Sequence, residues 1–287
     1  MKQSENNIYK IDVDKAWDSL YAKLDKDGLL TDKPEHSLSS KRKIPLQWIV
    51  VAAAACAAVI FSLFYFPQNK SNSLLVLQNK DSSGALVTTL EDGSTVYLAA
   101  NASISYPPAF AGNQRRVKLN GNALFSVTKD EQHPFVIETN EGITIEVVGT
   151  FFAVQSSPGS PFELSVKQGK VNVRSNDNPT VVRVEAGETV QKSANGLSKF
   201  KNTNSGIFDS FTDKMCFKDA KLNNIVHAIN AAYGSPTLIA DQSLNNRTLT
   251  VTFEDDSVET MTQLICMALN LEQVNKQDTI FIRQSLK

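Results

Sequence analysis

Trp48-Ile-Val-Val-Ala-Ala-Ala-Ala-Cys-Ala-Ala-Val-Ile-Phe-Ser-Leu-Phe-Tyr-Phe66 is the core of a run of twenty-six residues, between Lys43 and Lys70, without a single charge. Coiled as a helix, Leu46 to Phe66 spans roughly 31 Å, the thickness of the hydrocarbon core of a bilayer. Pro45 and Pro67 bracket it where helices begin and end. Lys41, Arg42 and Lys43 stand immediately before it and only Lys70 close behind, which predicts an N-terminus on the cytoplasmic side and export of everything after Pro67. A cleaved leader would have a shorter apolar stretch, about 7 to 15 residues, behind a short basic start. A core helix of a soluble domain would show a polar face, and only Gln47 and Ser62 interrupt this one. The run therefore reads as one membrane span, residues 44–67.

The exported part, about 220 residues, is long enough for two domains with cores of their own. Lys plus Arg number 29 and Asp plus Glu 30, so the chain has no basic field of the kind that holds a phosphate backbone, and direct nucleic-acid binding is not expected. Of the three cysteines Cys56 falls in the span, leaving Cys216 and Cys266 for at most one bridge, so hydrophobic packing must carry the fold.

Before the span, residues 1–43 carry one helical pattern, with Ile8, Ala16, Trp17, Leu20, Tyr21 and Leu24 on a common face and Gly28 closing it. So short a helix is marginal alone in water, and its stripe of Trp17, Leu20, Tyr21 and Leu24 calls for a partner, either protein or membrane surface. Thr31 to Ser40 reads as a flexible link to the span.

From Leu74 to about Phe200 the pattern is short alternating or apolar runs rich in Val, Thr, Ile and Phe. Turn clusters punctuate them: Glu91-Asp-Gly-Ser94, Asn120-Gly-Asn122, Asn140-Glu-Gly142, Ser157-Pro-Gly-Ser-Pro161, Gln168-Gly169, Ser175-Asn-Asp-Asn-Pro179, Ala186-Gly187 and Asn195-Gly196. Between them lie expected strands such as Ser94 to Ala99, Arg115 to Leu119, Ala123 to Thr128, Phe135 to Glu138, Thr144 to Val148, Glu163 to Val166 and Lys170 to Arg174. Such a series implies a sandwich, barrel or β-solenoid.

Beyond the polar link Lys201 to Gly206 a repeat with an offset of 36 residues appears: Phe217 and Phe253, Asp219 and Asp255, Leu222 and Val258, Ile225 and Met261, Ile229 and Ile265. Each copy reads as a strand ending at Phe, an acidic N-cap and an amphipathic helix, the first stopping at Tyr233-Gly234 ahead of Pro236. Thr237 to Ala240 and Asp278 to Arg283 supply the following strands, giving a small α+β domain of two strand-helix-strand halves.

The stretches Leu90-Glu-Asp-Gly-Ser-Thr-Val-Tyr-Leu98, Asn101-Ala-Ser-Ile-Ser-Tyr-Pro107, Arg115-Arg-Val-Lys-Leu-Asn-Gly121, Val147-Val-Gly-Thr-Phe-Phe-Ala-Val154, Lys167-Gln-Gly-Lys-Val-Asn-Val173 and Ala186-Gly-Glu188 follow one another in an order that resembles the periplasmic domain of FecR-family transmembrane sensors. The repeat after Met215 is similar to the short C-terminal domain of the same proteins, which resembles the secretin and TonB-dependent-receptor N-terminal module. The resemblance implies an anti-sigma regulator of the inner membrane: a cytoplasmic tail (residues 1–43), the span (44–67), an all-β periplasmic domain (68–204), sandwich or β-solenoid-like, and a periplasmic α+β domain (205–287). The partners it implies are an extracytoplasmic-function sigma factor on the tail and the signalling domain of a TonB-dependent outer-membrane transporter outside, with membrane lipid around the span. Members usually carry a longer, several-helix tail, so sigma binding here would rest on Trp17, Leu20, Tyr21 and Leu24. The family's Gly-Glu-Ala-aromatic segment stands here as Gly121-Asn-Ala-Leu-Phe125. A membrane-anchored periplasmic binding or scaffold protein without sigma-factor activity is the competing expectation.

Enzymatic chemistry is not expected, and no cofactor or metal is called for. His36, His133 and His227 lie far apart in sequence, and no phosphate loop, nucleophile elbow or zinc-protease motif is present. Gly149-Thr150 has two readings. The resemblance points to self-cleavage there, by attack of the threonine hydroxyl on the preceding carbonyl. The simpler reading is a bulge or turn between strands.

Overall fold

The computed structural model describes residues 13–28, 74–81, 84–201 and 206–285, in two units divided between Asn69 and Lys70. The expected span at 44–67, the link Thr31 to Ser40, and Ile8 lie outside the described residues. Among those described, no helix is long and apolar enough to cross a membrane.

In the first unit a single helix, α1 (Val13–Lys26), is described. Asp14 in its first turn and Lys23 and Lys26 in its last complement the helix dipole. Gly28, at φ 66°, closes it as the sequence predicts.

The second unit begins with fourteen strands in chain order: β1 (Leu75–Gln78), β2 (Ala85–Thr89), β3 (Thr95–Leu98), β4 (Ser103–Tyr106), β5 (Arg115–Asn120), β6 (Ala123–Ser126), β7 (Phe135–Thr139), β8 (Ile143–Val147), β9 (Phe151–Gln155), β10 (Glu163–Gln168), β11 (Lys170–Ser175), β12 (Asn178–Glu185), β13 (Glu188–Ser193) and β14 (Gly196–Lys201). They divide between two open sheets, and neither closes into a barrel. The seven-stranded sheet has the order β1-β4-β5-β7-β8-β11-β12, and the larger sheet runs β14-β13-β10-β9-β6-β3-β2 before continuing into later strands. Within each sheet the strands follow chain order, so the chain advances along both sheets together as it switches between them. One core joins them: Ile104, Val117, Leu119, Ile137, Ile145 and Val173 of the first meet Val96, Leu98, Phe125, Phe152 and Val154 of the second. Phe125 and Phe152 stack at 5.4 Å between ring centres.

Burial follows the sequence pattern strand by strand. β5, β8 and β11 alternate polar and apolar residues and expose one face. β3 and β9 are nearly continuous runs, Thr95-Val-Tyr-Leu98 and Phe151-Phe-Ala-Val-Gln155, and are buried on both faces. What covers their second face is the C-terminal repeat.

The C-terminal part comprises α2 (Gly206–Thr212) and then the repeat itself: β15 (Lys214–Lys221), α3 (Leu222–Tyr233), β16 (Thr237–Ala240), a 3-10 turn (Gln242–Leu244), β17 (Thr248–Glu254), α4 (Val258–Leu269), β18 (Leu271–Lys276) and β19 (Thr279–Gln284). β15 pairs parallel with β2, Met215 opposite Ala85 and Phe217 opposite Val87. Its other edge pairs antiparallel with β17, so the larger sheet reaches nine strands. The second strands of the two halves, β16 and β19, pair parallel, and β18 completes a three-stranded sheet. Val87, Tyr97, Leu124, Phe151 and Ala153 on the nine-stranded sheet share one core with Ile225, Ile229, Met261 and Ile265 of the helices and with Leu238, Ile280 and Ile282 of the small sheet. Tyr97 Oη donates to the Ala228 carbonyl at 2.7 Å from this buried face. Lys167 Nζ lies 5.4 Å from the Phe151 ring centre and 5.6 Å from that of Phe208 on α2.

The expected acidic N-caps need correcting. Asp219 lies inside β15, in a bulge between Phe217 and Ala220, with φ 51°, and Asp255 has φ 52° just beyond β17. The cap positions are Lys221, whose side chain makes no capping bond, and Ser257, which accepts from Thr260 N at 3.2 Å. Aspartate tolerates the left-handed conformation better than most side chains, so the repeated acid marks a repeated backbone bend.

Candidate partner-binding surfaces

Trp17, Leu20 and Tyr21 on α1 are 54%, 46% and 58% exposed, and Leu24 is half-buried. Trp17 and Tyr21, one turn apart, lie 6.2 Å between ring centres. The four side chains named by the sequence thus stand on one helix, and none of its residues is buried. A fourteen-residue helix with this stripe is marginal alone in water, so its apolar face calls for a covering partner, protein or membrane surface.

The stretches that carry the family resemblance meet one another in the sandwich. Arg115, at the start of β5, reaches Asp92 in the turn between β2 and β3 at 2.6 Å, with side chains 4% and 11% exposed. Arg115 also donates to the His133 carbonyl at 2.8 Å and to the Thr128 carbonyl at 3.0 Å, and its guanidinium lies over Phe135. Asp92 in turn accepts from Ser94 N and Oγ, so one carboxylate ties the turn to the facing sheet. Gly121 packs so closely on Ala102 that a β-carbon would come within 3.0 Å of its Cα. Asn79, buried beside β1, donates from Nδ2 to the carbonyls of Gly84 at 2.8 Å and Leu98 at 2.9 Å and so stitches β1 to the opposite sheet. Sequence reasoning passes over Asn79, Asp92 and Arg115, because a buried polar brace has no periodicity to announce it.

Gly149-Thr150 sits in the connection from β8 to β9. Thr150 is buried, its hydroxyl donates to the Lys170 carbonyl at 3.0 Å, and its own carbonyl accepts from Val127 N at 3.0 Å. A β-carbon on Gly149 would stand 2.8 Å from Lys129 Cα, and one on Gly169 would stand 2.9 Å from the Gly149 carbonyl oxygen. Three backbone segments close on this point, which is a reason for glycine at both positions.

A cleft of about 410 Å³ beside the brace is lined by Glu91, Asp92, Phe110, Gly112, Arg115, Asp130 and His133. Asp130 accepts from His133 at 2.9 Å, and that bond holds its carboxyl below the usual carboxylate range. The other described histidine, His227, places Nδ1 3.2 Å from Thr95 Oγ1. His36 lies outside the described residues. Among the described residues no group of His, Cys, Asp and Glu could hold a metal ion. Cys216 and Cys266 are free buried thiols, and burial pushes the Cys266 thiol up.

Residues 81–189 match the FecR protein family, and residues 214–282 match the family's C-terminal domain, FecR, C-terminal. Together these cover more than half of the chain. The chain belongs to the FecR family. The match to the first domain takes in the brace and the Gly149-Thr150 joint, and the match to the second takes in the repeat from β15 into β19. Among curated proteins none matches the chain. Two crystal structures of a "putative anti-sigma factor" from Parabacteroides distasonis ATCC 8503, at 1.65 and 2.50 Å resolution, are similar at 21% identity and a TM-score of 0.46, over 74% of this chain and 100% of theirs.

Proposed function

We propose that this FecR-family chain is a sigma-factor regulator anchored once in the inner membrane, its N-terminal tail cytoplasmic and its sandwich and C-terminal repeat periplasmic. In this reading the periplasmic part receives a signal from the signalling domain of a TonB-dependent outer-membrane transporter. The tail then passes it to an extracytoplasmic-function sigma factor. Family membership supports the regulator role. The uncharged run from Ile44 to Asn69 behind Lys41, Arg42 and Lys43 supports the anchor and its orientation.

The observation that carries the reading is the exposed stripe of α1. Burying a large apolar side chain in a partner's groove contributes about 1.5 to 3 kcal/mol, so Trp17 and Leu20 together supply enough to order a short helix on a partner. Trp17→Ala with Leu20→Ala should weaken the sigma-factor complex by roughly 100-fold or more, read by co-purification and calorimetric titration. Unchanged capture of the sigma factor by the double variant would remove the stripe as the binding face.

We assign the chain no catalytic chemistry. Attack on the Gly149 carbonyl would require a base to take the Thr150 proton, whereas the hydroxyl donates to a backbone carbonyl inside a close-packed joint. A blot of the full chain should accordingly show one band. Two fragments meeting between residues 149 and 150, lost in Thr150→Ala, would establish self-cleavage instead.

A further inference from the structure

Strand β1 forms an outer edge of the seven-stranded sheet and pairs only with β4 among the described residues. The sequence from Leu74 to Asn79, Leu-Leu-Val-Leu-Gln-Asn, carries no charge, and Leu74, Leu75 and Val76 are 47%, 47% and 67% exposed. Soluble sheets guard such edges with charge. The edges at the other end of the sandwich do so: β12 carries Arg183 and Glu185, and β14 carries Lys199 and Lys201. Leu77 alone of the β1 aliphatics turns into the core.

The chain itself limits what can cover this patch. Seven residues, Pro67 to Ser73, separate Phe66 from Leu74, a reach of at most about 27 Å at full extension. If residues 44–67 cross a bilayer, β1 is held within that distance of its surface. The neighbouring residues suit such a surface. Tyr106 stands opposite Leu75 in register, half-buried, the side chain that membrane interfaces favour. On the outward face Val76 aligns with Ser105 and then with exposed Lys118, a cation for anionic headgroups. A second copy is a poorer fit, since pairing two four-residue edges buries only a few hundred Å², well short of the roughly 1,200 Å² of a stable interface.

We propose that the Leu74–Val76 end of β1, with Tyr106 beside it and Lys118 on the outward face, seats in the lipid headgroup layer and orients the sandwich on the membrane. This rests on the single-span reading above, and the test separates the two. The full chain, with Cys56, Cys216 and Cys266 changed to alanine, is labelled with an environment-sensitive fluorophore at Val76→Cys or, as a control, at Asn195→Cys in the exposed turn between β13 and β14. It is reconstituted into phosphatidylethanolamine–phosphatidylglycerol vesicles containing spin-labelled lipid.

The expected result is a blue-shifted Val76 probe, quenched several-fold more than the Asn195 probe, with the excess lost on Leu75→Asp. Photoactivatable phospholipid added to the unsubstituted chain should cross-link within residues 74–76, which keeps the test valid if the cysteine-free chain folds poorly. A chain that floats with the vesicles while both probes are quenched equally, or lipid cross-links that avoid residues 74–76, would overturn the seat and leave the span standing. Efficient disulfide formation between copies of the unlabelled Val76→Cys chain would overturn it in favour of self-association. A chain that alkaline extraction strips from the vesicles would overturn the span and the seat together.

Discussion

At the scale of single residues, the polar braces hold positions that hydrophobic patterning leaves open. Asp92 and Arg115 are the strongest case, because removing one partner strands a nearly buried charge. Asp92→Ala should cost about 3 kcal/mol or more, measured by chemical denaturation followed by circular dichroism, and Arg115→Met with Asp92→Leu should cost less than Asp92→Ala alone. Equal losses in the two variants would mean that the pair is not the brace described. Asp219 and Asp255 make a second case, since both adopt the left-handed conformation. Alanine at either position should cost about 1 kcal/mol, while glycine should stay within about 0.5 kcal/mol of the natural chain, and alanine matching glycine would argue against the bend. The 36-residue recurrence of these acids is visible in the sequence, but its cause is not. An aspartate just before an amphipathic helix satisfies the pattern for a cap as well as for a bend, and only the backbone angle separates them.

At the scale of elements, periodicity tells the strands apart better than it places their ends. Runs such as Arg115-Arg-Val-Lys-Leu-Asn120 alternate because one face meets water, and they are readable for that reason. β9 falls outside the strands expected from alternation, though its unbroken apolar run is the mark of a strand covered on both sides. β12, which includes Pro179, is an edge strand, where the missing N–H costs no ladder bond. The stripe on α1 is legible residue by residue, because large apolar side chains recurring every three to four positions along a polar segment define one helix face. The uncharged edge of β1 does not stand out in the same way, since a lone leucine-rich strand reads as core until its neighbours are known.

At the scale of the whole unit from Lys70 onward, the change of pattern near residue 205 marks a change of architecture but not a gap in packing. The nine-stranded sheet runs through it, and its second face is covered by the repeat. Ending the unit at residue 205 would bare Val87, Tyr97, Leu124, Phe151 and Ala153. Their re-exposure costs on the order of 5 to 10 kcal/mol, comparable with the whole stability of a domain. A fragment of residues 70–205 should therefore aggregate or bind a hydrophobic dye, whereas residues 70–287 should elute as a folded species on size-exclusion chromatography. A monodisperse, dye-negative shorter fragment would show that the sandwich stands without its cover. This dependence is hidden from the sequence, because β2 and β15 belong to different patterns and nothing local to either marks them as neighbours.

Ala85 and Met215, partners in that pairing, are about 130 residues apart. A polypeptide synthesised with its N-terminal end first therefore presents β2 long before its mate arrives. Throughout that interval one side of a growing sheet has bare amide and carbonyl groups, ready to join whatever extended segment passes by. Maturation of this protein is thus tied to the arrival of its last quarter, and folding helpers that shield open strands would matter most to it in the moments just before synthesis ends.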